Sequence, residues 1–167
     1  MLLKENTTND KVAHKTELNI KKVGNSLFFS FFAENTSFYT VGEKYNDNLY
    51  DGDVVEIFIT YGLANHYYEI EVSPNGLVFL ADIENINGKT KINFIDKSFI
   101  KTKVEIIDNN YKVEISLPLD KIKTERPLFN AFRIERMNNK QYLYALNPTM
   151  CHSFHKMEYF IDLLPLL

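Results

Sequence analysis

The sequence predicts an all-β protein, an antiparallel two-sheet β-sandwich of about ten strands, immunoglobulin-like or jelly-roll-like in its layering. Three observations carry that prediction. Apolar and polar residues alternate along one run after another, while helical periodicity barely occurs. Turn residues separate these runs at even spacing. Aromatic residues are 14% of the chain, 13 Phe and 10 Tyr with no Trp, and such side chains suit a pleated, half-buried surface.

The elements follow in order. Residues 1–11 read as a loose lead-in to one domain over 12–167, as terminal residues often are. Thr16 to Val23 alternates loosely, and the aromatic run Leu27 to Phe32 suits a central strand covered on both faces. Val54 to Ile59 and Tyr67 to Val72 come next. Ser73-Pro74-Asn75-Gly76 then forms a turn, because proline presets φ and Asn-Gly accepts positive φ. Leu77 to Leu80 returns as the hairpin partner. Lys103 to Ile106 and Tyr111 to Leu117 flank Asp108-Asn109-Asn110, a second hairpin signal, and Pro118 ends that strand. Leu119 to Ile122 can make one helical turn. Phe129 to Met137 pairs with Tyr142 to Ala145 across Asn138-Asn139, and Glu158 to Leu163 supplies a last strand.

Composition narrows the function. A chain of 167 residues with 45% hydrophobic and 25% charged residues can bury a core without staples. The net charge of −3 and a pI near 5.8 give no basic face, so no nucleic-acid partner is expected. No apolar stretch approaches the ~18 residues of a membrane span, and Met1 to Asn6 shows neither leader nor anchor character, so no membrane partner is expected. A monomer is expected. The lone Cys151 excludes an internal disulfide.

No catalytic arrangement emerges. There is neither a glycine-rich phosphate loop nor a nucleophile elbow, and 6 glycines leave little material for either. The acids Glu69, Glu71, Glu105 and Glu114 alternate with apolar residues and read as outward charge. His152 and His155 are three apart beside Cys151, without the second ligand pair that zinc requires. Asp47, Asp51 and Asp53 offer oxygens for Ca²⁺, but their spacing does not match an EF-hand loop, and turn formation accounts for much of the cluster. Arg133 alternates with inward apolar residues and suits a buried partner for a strand carboxylate.

Two segments resemble the family 9 carbohydrate-binding modules and their relatives, the sandwich domains called DOMON-like. Leu49-Tyr50-Asp51-Gly52-Asp53-Val54-Val55-Glu56 and the strand after it look like that family's aromatic–Asp–Glu pattern. Tyr67 to Gly76 is similar to the Tyr-rich strand and turn that follow. Near the end, Ala145-Leu146-Asn147-Pro148-Thr149 and Phe154 to Phe160 are similar to the family's closing motif. The resemblance runs from about Leu27 to Leu163, and the order of the motifs carries it. It implies a non-catalytic module in which two aromatic residues clamp a terminal sugar of a plant-type glycan while polar groups bind its hydroxyls. By position, one platform falls on Tyr50 and its polar partner on Glu56. The second falls on Leu146, which cannot stack, leaving Tyr144 as the substitute and Asn147 as a hydrogen-bonding group. This is a reduced clamp.

Three other readings stay open at this point. An electron-transfer domain could ligate haem through Met137, Met150, His152, His155 or Met157. A glycoside hydrolase could use Glu56 and Glu69, and a structural domain could have lost its ligand altogether.

Overall fold

The alternating runs form twelve strands in two antiparallel sheets in the computed structural model, which describes residues 1–167. The smaller sheet lines up β2 (Thr16–Val23), β3 (Ser26–Ala33), β9 (Asn110–Pro118) and β8 (Lys101–Ile107). The larger runs β1 (Lys4–Glu5), β11 (Lys140–Ala145), β10 (Leu128–Met137), β4 (Val54–Thr60), β5 (His66–Val72), β6 (Val78–Ile86) and β7 (Lys89–Phe94), with β12 (Ile161–Asp162) also on β10. The helical content is confined to short 3₁₀ turns, one of them over Leu119–Lys121 as expected.

The hairpins follow their turn residues. Asn138 and Asn139 both take positive φ, 52° and 60°, and bring Met137 opposite Lys140. Gly76 at φ 83° closes the turn between β5 and β6. Asn87-Gly88 is a third such turn and creates β7.

Two buried layers result. Between the sheets, Phe29, Phe31, Val113 and Ile115 meet Ile57, Ile70, Phe129 and Ala131. The outer face of the large sheet is covered as well. There Phe58, Tyr67, Phe79 and Phe132 lie under Leu49 and the C-terminal Phe154 and Phe160.

That second layer corrects several expectations. Ten strands become twelve. The strands covered on both faces are β4, β5 and β10, whereas β3 is central in its sheet but leaves Phe28 and Phe32 only half-buried. Glu69 and Glu71 are buried beneath the second layer, while Glu105 is exposed and Glu114 partly so. The supposed lead-in is part of the sheet: β1 pairs with β11, Leu3 joins the inter-sheet core, and Asn6 is fully buried.

Candidate functional site

The outer layer does not close over the middle of the large sheet. It leaves a concavity of about 290 Å³ floored by Glu56 and Phe58 of β4 and Glu69 and Glu71 of β5. Tyr50 borders it from one side and stays 44% exposed. It sits on a 3₁₀ turn, Leu49–Asp51, that is held from below. The Asp53 carboxylate accepts from the backbone N–H groups of Arg136 (2.6 Å) and Tyr39 (2.9 Å) and from the Asn35 amide (3.1 Å). Gly52 is required there, because a Cβ would lie 2.7 Å from the Tyr39 carbonyl oxygen.

The loop carrying His152, Ser153, Phe154 and His155 forms the other side. Its organiser is Asn6. The Asn6 side chain accepts from Thr149 N–H (2.9 Å) and donates to the Cys151 carbonyl (2.6 Å) and the Thr149 hydroxyl (2.8 Å). Phe154 stacks on Phe132 with centroids 4.2 Å apart. The His155 ring stacks on Phe58 at 5.3 Å and shares a 2.6 Å hydrogen bond with the Tyr67 hydroxyl. Burial holds His155 below the usual histidine range.

The floor is acidic. Glu56 stands directly opposite Glu71 across the β4–β5 pair, a placement that is unfavourable for like charges. One oxygen from each of Glu56, Glu69 and Glu71 lies within 4.8 Å of the other two. No lysine, arginine or histidine forms an ion pair with any of the three. Glu56 Oε1 and Glu71 Oε2 are buried without a hydrogen-bond partner. Burial raises all three carboxyls and mutual repulsion adds to it for Glu56 and Glu71. Glu69 is pushed up to about 7, with hydrogen bonding from Glu71 working against burial.

No protein-family model matches the chain, and no curated protein matches it in sequence. Solved structures do match. A Bacteroides uniformis protein named as carbohydrate-binding superposes with a TM-score of 0.77 at 12% identity, over 97% of this chain and 84% of its own. A family 9 carbohydrate-binding module from Caldicellulosiruptor kristjanssonii, in complex with cellotriose, gives 0.69 at 13%, over 97% and 80%. That organism's family 9 module in complex with glucose gives 0.67 at 13%, over 96% and 81%. The chain shares their fold. At these identities the likeness speaks for architecture, so the chemistry of the concavity rests on the residues of this chain.

Of the residues singled out in sequence, Tyr50 and Glu56 come together on the concavity. Tyr144 does not. It shares the face of Leu146, as expected, but that face packs into the inter-sheet core, and alternation sends Leu143 and Ala145 outward instead. Tyr144 is 2% exposed and donates its hydroxyl proton to Glu135 at 2.5 Å. Asn147 is spent on structure: its amide donates to the Tyr159 carbonyl (2.8 Å) and its backbone N–H to Asn130 (3.0 Å).

The three aspartates do not converge. Asp47 accepts from Glu43 and Lys44 N–H groups, Asp53 is enclosed as described, and Asp51 is exposed near Arg136. Nor do the haem candidates bracket a planar group. His155 and Met157 border one small hollow from the same loop, His152 lies on the acidic concavity, and Met137 ends β10. Arg133 is the expected buried partner, fully enclosed 3.3 Å from Glu135.

Sequence reading missed Gln141 and Asn6, took Glu71 for outward charge, and singled out Glu69 only as a hydrolase candidate. One signal for the two acids existed: β4 is apolar on both parities apart from Glu56, which implies a covered outer face for its neighbour β5 as well.

Proposed function

We propose that the chain is a non-catalytic carbohydrate-binding module whose sugar lies in the concavity beside Tyr50. The observation that carries this reading is the pairing of an exposed aromatic plane, Tyr50, with directed polar groups on one floor. A pyranose offers an apolar C–H face and a ring of hydroxyls, and that combination is what such a surface matches. Gln141, His152 and Ser153 add polar groups at the margin. Phe154 takes the place on the far wall that Leu146 and Tyr144 do not fill. The shared fold supports the reading, since related modules were solved with glucose and cellotriose bound. A glucose-type chain end, of a cellulose- or xylan-type glycan, is therefore the ligand class to try first.

The acidic floor is read as binding rather than hydrolytic because its carboxyls rise side by side from adjacent strands on one side of the hollow, whereas a glycosidase pair flanks the scissile bond. The test is titration calorimetry with glucose, xylose, cellobiose, cellotriose and xylotriose. One site per chain is expected for at least one of them. Absence of heat for every sugar at about millimolar ligand, where ligand-binding energies are only about 4 kcal/mol, would sink the proposal.

A further inference from the structure

Three carboxylates buried together are an electrostatic problem that the protein itself leaves unsolved. Elsewhere in the chain, buried acids have donors: Asp53 has three and Glu135 has His14, Arg133 and Tyr144. Glu56 and Glu71 are as deeply buried, 2% and 1% exposed, and line the concavity, yet each has a carboxylate oxygen with no partner. Buried charge without a partner is strongly unfavourable, and such a group is neutralised either by taking up a proton or by an external opposite charge.

We infer that Glu56, Glu69 and Glu71 form a divalent-cation site at the base of the concavity, suited to an oxygen-preferring ion of calcium's class. The donor set is all carboxylate oxygen, with no sulfur or imidazole, which selects hard cations over zinc or copper. Calcium–oxygen distances of roughly 2.3–2.6 Å put two ligands of one ion at most about 5 Å apart. The three oxygens meet that bound at 4.8 Å. Two positive charges offset most of the three negative ones. The three ligands come from one side, the sheet, so the ion's remaining positions face the open concavity, where water or a ligand hydroxyl can fill them. The site differs from Asp47 and Asp53, whose oxygens accept from the chain's own N–H groups, and from Asp51, which is exposed near Arg136. It does not rest on the sugar reading, and its calcium arm contains no sugar.

The experiment compares protein stripped with a chelator against protein titrated with calcium chloride alone. Tyrosine-sensitised terbium luminescence is a second readout, clean because the chain has no Trp. Binding with Kd of about 0.1–1 mM is expected, as for weak modular calcium sites. At about 100 times Kd, Tm should rise by roughly 5–10 °C. Glu56→Gln and Glu71→Gln should each abolish both signals while melting in chelator at or above the unsubstituted protein's Tm, which shows that they fold. The exposed Glu105→Gln should change neither. No calcium, magnesium or manganese response overturns the proposal, as does a response that survives in both Gln variants. Stabilisation by glucosamine without any response to calcium overturns it in favour of an ammonium site.

Discussion

The large sheet buries acids on both of its faces and treats them in opposite ways. On the inner face, Glu135 receives the Tyr144 hydroxyl at 2.5 Å and His14 Nδ1 at 2.5 Å, with the Arg133 guanidinium 3.3 Å away. Arg133 in turn donates to the Thr16 hydroxyl and the Glu34 carbonyl, and lies between the rings of Tyr111 and Tyr144. On the outer face, Glu56, Glu69 and Glu71 have only one another. A buried charge ringed by donors belongs to the architecture, because it ties β2, β10 and β11 into one body. A buried charge left facing a hollow destabilises the empty protein and is compensated only when something enters. The first region explains how the sandwich holds; the second is where a ligand is proposed to enter.

The comparison breaks most easily at Arg133. Arg133→Met keeps the apolar packing but leaves Glu135 buried with no guanidinium, so a loss of about 3–5 kcal/mol in urea unfolding is expected. Glu71→Gln, equally buried, should cost nothing in metal-free protein and is expected to stabilise it, because it removes one of three like charges. If both variants lost several kcal/mol, the two faces would not differ in kind and the outer cluster would be structural.

How much of this was legible depends on sequence distance. The hairpins were readable because each is set by adjacent residues, as with Asn138-Asn139 or Pro74-Asn75-Gly76. Even Asn87-Gly88 carried its own signal. Tyr50 and Glu56 could be paired because the resemblance places both in one motif, with only five residues of turn and strand between them. Asn6 could not be read as the organiser of the loop at Thr149 to Ser153, since that contact spans most of the chain. Tyr144 illustrates a subtler limit. Alternation places it correctly relative to Leu146, but a period of two says only that two faces exist. Which face turns inward was decided by the packing of the two sheets, and local pattern does not contain that.

The outer cluster should also show itself through pH. A carboxyl whose folded value is raised, as for Glu69 at about 7 against roughly 4.3 unfolded, contributes stability below the lower value and loses it as pH rises through the higher. In chelator, stability should therefore increase on acidification from pH 8 to about 6.5, by roughly 1–3 kcal/mol. Below that window His155, held neutral by burial, works in the opposite direction, since it must take up a proton more readily when unfolded. Glu71→Gln should flatten the rise. A melting temperature independent of pH between 6.5 and 8 would mean that the floor is already neutralised.

The finest distinction lies between two tyrosines. Tyr144→Phe removes only a hydroxyl, yet it deprives the enclosed Glu135 of a donor and should cost about 1–2 kcal/mol. It should leave sugar affinity unchanged, because Tyr144 faces the inter-sheet core. Tyr50→Ala removes a whole ring, yet that ring is 44% exposed and belongs to neither buried layer. Stability should therefore move by no more than about 0.5 kcal/mol, while affinity for the best sugar falls at least about tenfold, or about 1.4 kcal/mol. Denaturation and calorimetry on the same two proteins separate the outcomes. An unchanged sugar affinity in Tyr50→Ala would move the platform to Phe154, the other aromatic wall of the concavity.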